Sequence, residues 1–315
     1  MYINKISHYL PDKIVNNAHF EKITGISEEW LLSRTGIVER RKALPHENTN
    51  TMAIESVKIA CKNLHYSIKD VNLIIGATYT PFDTIGTLAH SVQHAFDIQN
   101  AQVLTITSAC ASFINALEIA QGYFALNKAN LALIIASEHN TAYYNEKDIQ
   151  SGHLWGDGAA AILVSKERVT DNDFQIIDIM TKGLGYAGKS IDGIWLRPLH
   201  GGLKMPHGRD VYTHANKHMI GTLVEILDKN HLTVADIDYL IPHQANLKII
   251  KHIQHDLKLS DEKVLINIDK LGNTGCASIP IAFSQHIDKF QSGDLIAFTA
   301  FGGGYSSGSV LLKKL

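Results

Sequence analysis

An alternation of strand-like and helix-like segments that occurs twice constrains this chain more than any other feature. Short β-rich runs at Val71–Gly76, Ala101–Thr107, Leu131–Ala136, Ala159–Val164 and Leu295–Ala300 alternate with helical patterns over Thr51–Asn63, Thr87–Phe96, Cys110–Lys128, Tyr212–Lys229 and Ala245–Leu257. Alternation of this kind means an α/β fold. Lys69–Ile75 resembles Ala235–Ile241, with Val71 and Ile237 offset by 166. Val92–His94 resembles Ile253–His255 at offset 161, and Cys110-Ala-Ser112 returns as Cys276-Ala-Ser278 at 166. Three matches in one order at nearly constant offset indicate duplication. The expected organisation is two similar halves, 1–170 and 171–315, and a site between them draws residues from both.

Composition narrows the function classes. The 315 residues exceed the roughly 150 of an average domain, and 45% hydrophobic against 19% charged content argues against disorder. Lys plus Arg at 29 against Asp plus Glu at 31 leaves net −2, with no basic excess to neutralise a nucleic-acid backbone. Three cysteines, Cys61, Cys110 and Cys276, form neither a disulfide framework nor a C-x-x-C pair. Met1–Pro11 lacks the apolar core of a signal peptide, and runs such as Asn130–Ala136 fall far short of the roughly 18 residues of a membrane span. A cytoplasmic protein without nucleic-acid or membrane partners is expected.

Two glycine motifs mislead. Gly183-Leu-Gly185-Tyr-Ala-Gly188 follows the strand-like run Gln175–Met180, but Lys189–Pro198 has no helical period, so the helix of a dinucleotide site is missing. Gly304-Tyr-Ser306-Ser-Gly308 resembles a hydrolase elbow, yet no acid or histidine follows it. The 17 histidines form no H-E-x-x-H, and His252 and His255 read as solvated rather than metal ligands.

Three residues carry chemistry. Cys110 follows the strand-like Val103–Thr107 and opens a helix that is apolar all round; at that terminus, unpaired N–H groups and the dipole favour thiolate. His243 lies between a strand and a helix in Leu240–Asn246, and Asn273 in a glycine-flanked turn, Gly272–Ser278. Strand-end loops are where α/β proteins place reactive groups. Papain-like proteases also run Cys, His, Asn, and His243 follows Cys110 by 133 residues, but their C-G-[SA]-C-[WY] signature is absent from Ser108–Ser112.

The chain resembles the β-ketoacyl-acyl-carrier-protein synthase III family of the thiolase superfamily. The resemblance rests on Glu29-Trp30, Ser33–Arg40, Ala109-Cys110-Ala111, Gly156–Ala159, Pro242–Asn246, Gly272–Thr274 and Phe301–Gly304, in order along the chain. It implies a thiolase-like duplicated α/β/α/β/α five-layer fold, and a homodimer. It also implies that Cys110 takes the acyl group of an acyl-CoA or acyl-carrier thioester and passes it to the carbanion of a decarboxylating malonyl-carrier thioester. The amides of Cys110 and Gly303 are then the oxyanion hole, His243 Nε2 and the Asn273 amide the donors to the enolate, and Phe301 an apolar wall. Trp30 and Arg34 match positions for the CoA nucleotide, Gly208 and Asn246 the pantetheine tunnel, and Lys248 carrier docking. Neither a metal nor a cofactor is implied.

Three departures from the family stand out. Asp148–Asp157 lacks an arginine that helps clamp the adenine, and His255 and Asp256 replace docking lysines. Gly86, in Pro81–Thr87, replaces a larger residue in the acyl-pocket stretch, which suggests a longer primer and a secondary pathway. Acyl transfer without decarboxylation is the alternative within the family, and a cysteine hydrolase the alternative outside it.

Overall fold

The computed structural model describes all residues, Met1 to Leu315. The chain begins with β1 (Tyr2–Tyr9), followed by β2 (Lys13–Asn16) and β3 (Glu39–Lys42), which pair as a hairpin enclosing α1 (Asn17–Thr24) and α2 (Glu28–Thr35). Then come α3 (Thr49–Ala60), β4 (Leu73–Ala77), α4 (Leu88–Ala95), β5 (Gln102–Ile106), α5 (Ser112–Ala125), β6 (Leu131–Glu138) and β7 (Gly158–Ser165). After β8 (Phe174–Gly183), a second hairpin of β9 (Trp195–Arg197) and β10 (Gly202–Lys204) precedes α6 (Gly208–Lys229). The chain ends with β11 (Tyr239–Pro242), α7 (Leu247–Asp256), α8 (Ile268–Leu271), α9 (Ser278–Gln285), β12 (Leu295–Gly302) and β13 (Ser306–Lys314).

Nine strands run in the order β11-β12-β13-β8-β1-β7-β6-β4-β5. The joint between β8 and β1 is narrow, with only Tyr2 opposite Gln175 and Ile3 opposite Phe174. On either side of it the order matches: β1-β7-β6-β4-β5 on one, β8-β13-β12-β11 on the other. Val264 bridges Leu240 where a fifth strand of the second set would stand.

Packing sorts the helices into layers. On α5, Phe113, Ile114, Leu117 and Phe124 are buried with Ile279, Ile281 and Phe283 of α9, against β4, β6 and β7 on one side and β12 and β13 on the other. Both helices are apolar all round because both lie between sheets. α3 and α4 cover the outer face of the first strand set, and α6 and α7 that of the second. The result is helix, sheet, helix, sheet, helix. Each fully buried Leu, Ile or Phe contributes roughly 1.5–3 kcal/mol, so the central layer is the main source of stability. In β7, Ala159-Ala160-Ala161 let α3 and α9 approach opposite faces.

Local signals set the ends. Asn48 caps α3 in a reciprocal pair with Thr51, and Asn246 caps α7 through Oδ1, which accepts from Lys248 N at 2.8 Å. α5 and α9 have no side-chain cap, and both start at the seam between the strand sets. Tight backbone turns serve instead: Ser112 N donates to Ala109 O at 3.1 Å and Ile114 N to Ala111 O at 3.0 Å, and Ser278 N donates to Gly275 O.

Candidate active site

Cys110 stands in a turn ahead of α5, which starts at Ser112, not at Cys110 as the apolar pattern predicts. Ala109 takes the left-handed conformation, φ 48°, which a helix cannot include. Ser112 Oγ staples the turn, accepting from Ser108 N at 2.7 Å and donating to Ala109 O at 2.6 Å. The end of β12 lies directly against it. A Cβ on Gly302 would stand 2.3 Å from Ser108 O and 3.1 Å from Cys110 N, so only glycine permits this approach. Neither Cys110 N–H nor Gly303 N–H enters a turn or loop hydrogen bond.

His243 follows β11, and its N–H donates to Thr299 O at 2.8 Å. Its ring Nδ1 lies 2.7 Å from Ser278 Oγ, which also accepts from Gln244 N at 3.3 Å. His243 Nδ1 is the one acceptor within reach of the Ser278 hydroxyl, so the serine proton is directed at Nδ1 and the ring carries its own proton on Nε2. Asn273 is held by its backbone between Leu154 O and Gly156 N, at 2.8 and 3.0 Å. Its Oδ1 accepts from Gly275 N at 2.9 Å, which leaves Nδ2 as a donor. Cys110, His243, Asn273, Phe301 and Gly303 line one apolar cavity of about 110 Å³, with Gly208 and Asn246 towards its mouth.

Burial governs the electrostatics. It pushes the Cys110 thiol above its ordinary range, and the Glu138 charge adds to this against a smaller opposing effect of the Tyr79 hydroxyl. Burial thus opposes the thiolate that a helix terminus favours. His243 is lowered to about 3 by burial and is neutral at pH 7. Glu138 is raised to about 7 by burial, against hydrogen bonds from Cys276, Thr80 and Thr78.

The remaining sequence candidates lie outside this cluster. Trp30 and Arg34 share α2, with the guanidinium 5.5 Å from the indole centre, and Trp30 faces Ile149 and Gln150 across an outer cavity of about 340 Å³ that shares Met205 and Gly208 with the inner one. Lys248 is exposed on the first turn of α7. The stretch Pro81–Thr87 does not line the Cys110 cavities: Phe82 and Ile85 are 64% and 88% exposed, and Gly86 faces Asp83. Tyr79, Thr107, Trp195, Leu196 and Leu203 instead line a second cavity of about 360 Å³ that opens on Cys110. The sequence assigns no role to Ser278, Glu138, Tyr79 or this hairpin; of these only Ser278 carries a signal, as the third residue of the Cys-Ala-Ser repeat.

Comparison with known proteins gives a consistent relationship. Residues 104–183 match the family model of 3-oxoacyl-[acyl-carrier-protein (ACP)] synthase III, and residues 227–314 match the model of its C-terminal part. The chain is 36% identical to the β-ketoacyl-[acyl-carrier-protein] synthase III of Campylobacter jejuni subsp. jejuni serotype O:6, over 99% of this chain and 97% of that one. The crystal structure of 3-oxoacyl-[acyl-carrier-protein] synthase III from Aquifex aeolicus VF5 superposes with a TM-score of 0.92 at 34% identity, covering 99% of both chains. The priming β-ketosynthase of the R1128 polyketide biosynthetic pathway superposes at 0.89 and 26% identity, covering 98% of this chain and 95% of that one.

Proposed function

This chain belongs to the β-ketoacyl-[acyl-carrier-protein] synthase III family, and from that premise we propose how its residues carry out the reaction. It is an acyltransferase that condenses an acyl primer with a malonyl-carrier thioester, with loss of carbon dioxide. The observation that supports the residue assignments is the convergence of Cys110, His243 and Asn273 on one cavity, with the second polar atom of His243 and of Asn273 already engaged.

In the first half-reaction the Cys110 sulfur attacks the primer thioester. A C–S bond to Cys110 forms, the bond to the carrier sulfur breaks, and the thiol proton leaves with the departing thiol. The tetrahedral oxyanion lies between the amides of Cys110 and Gly303. His243 is a donor in this scheme rather than a base, because Nε2 already holds its proton. In the second half-reaction the malonyl C–C bond breaks and its electrons pass to the thioester oxygen, which accepts from His243 Nε2 and Asn273 Nδ2. The enolate carbon attacks the acyl-Cys110 carbonyl. The sulfur is expelled as thiolate and takes up one proton from solvent, which balances the negative charge left when carbon dioxide departs; the elevated thiol favours this uptake.

Phe301 walls the cavity with apolar surface, which disfavours the malonyl carboxylate. Trp30 and Arg34 serve the nucleotide end of CoA, Gly208 and Asn246 the pantetheine arm, and Lys248 the carrier. Matching strand order supports reading 1–170 and 171–315 as duplicated halves. A homodimer acting in the cytoplasm, without metal or bound cofactor, completes the proposal; no helix is long and apolar enough to cross a membrane.

Mass spectrometry of the protein given acyl-CoA and malonyl-carrier tests this. An acyl adduct on Cys110 and a β-ketoacyl-carrier product with release of carbon dioxide are expected. Free acid would support a hydrolase, and acyl-carrier without carbon dioxide a simple transferase; either would overturn the proposal.

A further inference from the structure

The mouth of the Cys110 cavity forks at Gly208. One arm passes Met205 to Trp30, Ile149 and Gln150. The other, about 440 Å³, lies at the start of α6 and is bordered by Lys189, His207, Arg209, Asp210 and Thr213. Gly208 lines the inner cavity and both arms. We propose that this second arm seats the phosphodiester of a carrier-borne phosphopantetheine thioester, apart from the arm that takes the nucleotide end of CoA. The inference rests on the reaction proposed above.

Charge supports the assignment. Lys189 and Arg209 are exposed, and neither has a carboxylate within 4 Å among the ion pairs of the chain. The one carboxylate in the arm is already engaged: Asp210 Oδ1 accepts from Tyr305 Oη at 2.6 Å and from Lys189 N at 2.8 Å, and Oδ2 lies 3.9 Å from His214 Nε2. The arm therefore presents two uncommitted cations. The outer face of α7 does not. Lys251 pairs with Asp261 at 2.6 Å, and His252 and His255 both meet Asp256, at 3.3 and 3.1 Å, which leaves Lys248 alone. A negatively charged group arriving at the mouth thus meets its complement on the α6 side.

Shape agrees. A pantetheine thread that reaches Cys110 past Gly208 ends in a phosphate at the fork. When that phosphate is esterified to a carrier protein there is no adenine for Trp30, so the cationic arm alone is used. Arg209 suits a phosphate by its planar fork, and Lys189 as a point charge.

The test is the double variant Lys189→Glu with Arg209→Glu, and, as a milder pair that retains the fold, Lys189→Gln with Arg209→Gln. Two readouts are taken: KM for malonyl-carrier against the rate of Cys110 acylation by acyl-CoA, and binding of holo-carrier against apo-carrier, which lacks the phosphodiester. We expect KM for malonyl-carrier to rise about tenfold or more, with acylation from acyl-CoA within about twofold of wild type. We also expect wild type to bind holo-carrier more tightly than apo-carrier, and the variants to lose that preference. An equal loss towards acyl-CoA would show that the arm holds the phosphates of CoA and overturn the proposal. So would an unchanged KM or a surviving preference for holo-carrier. If wild type gives no β-ketoacyl product, the reaction itself is wrong, and the holo-to-apo comparison still decides the arm.

Discussion

Ser278 Oγ lies 2.7 Å from Nδ1 of His243, and both groups are buried. This contact fixes which ring nitrogen faces the substrate as a donor. Without the serine hydroxyl, Nδ1 becomes free to take the proton and Nε2 loses it. Ser278→Ala should lower the condensation rate by about ten- to a hundredfold, as expected for weakening one donor to a developing oxyanion. Acylation of Cys110 from acyl-CoA should stay within about threefold. Single-turnover measurement of each half-reaction checks this; equal loss in both would contradict a tautomer role.

Asn273 acts only in the second half-reaction in the proposed scheme. Its Oδ1 is held by Gly275 N, so the amide can offer only Nδ2 to the substrate. Asn273→Ala should therefore retain acylation at Cys110 while decarboxylative condensation falls by about a hundredfold or more. Radiolabelled primer retained on the protein, with no labelled β-ketoacyl product, is the expected outcome.

The elevated Cys110 thiol predicts a specific pH response. Below its pKa the thiolate fraction grows about tenfold per pH unit, so alkylation by iodoacetamide should climb through pH 6 to 9 without levelling. Glu138, raised to about 7, is charged above that pH and opposes the thiolate only there. Glu138→Gln should speed alkylation about three- to tenfold at pH 8, with the gain fading below pH 7. The raised value also bears on stability. Between about 4.5 and 7 the folded state holds a proton that the unfolded chain has released. The Glu138 contribution should therefore fall as pH rises through this window, while buried His243, lowered to about 3, contributes in the opposite sense; the difference in melting temperature between wild type and Glu138→Gln across the window isolates the Glu138 part.

Two glycines should respond in opposite ways. A methyl on Gly302 would meet Ser108 O at 2.3 Å, a backbone atom that can yield only by moving the nucleophile turn. Gly302→Ala should cost at least about a hundredfold in kcat/KM for both half-reactions, the scale of a one-ångström misplacement. Gly122 lies within α5 with nothing inside 4 Å of an added methyl. Gly122→Ala should raise stability by about 0.5–1 kcal/mol with activity unchanged. Paired denaturant melts and rate assays separate the two.

The strands and helices were legible where periodicity was strong. Leu131–Ala136 and Leu295–Ala300 are apolar runs, and the strands they predict extend to Glu138 and Gly302. β1 has no clear strand period in the sequence because its apolar positions mix with Lys5 and His8 on a strand covered unevenly. The start of α5 was misplaced because hydrophobic pattern is blind to a single left-handed residue, Ala109. Cys110, His243 and Asn273 stand out as reactive types at strand ends. Ser278 and Glu138 act through side chains brought together from distant segments, and no local spacing announces them. Within one chain Pro81–Thr87 lies away from the Cys110 cavities, and the β9–β10 hairpin, which carries no family motif in the sequence, supplies a wall of the second of them.

That wall leads to a prediction about the primer. The cavity of about 360 Å³ opening on Cys110 is bounded by Tyr79, Trp195, Leu196 and Leu203, a largely apolar lining with room beyond an acetyl group. Apolar burial favours a longer chain by about 0.8 kcal/mol for each methylene that fits, roughly fourfold in affinity. In competition, hexanoyl to decanoyl donors should therefore acylate Cys110 ahead of acetyl-CoA. Filling the cavity should reverse the order. Leu196→Trp adds bulk to the lining, and should lower kcat/KM for octanoyl donors by about tenfold while acetyl stays within about threefold. If acetyl-CoA wins the competition in wild type, the cavity does not hold the primer and the longer-chain assignment fails.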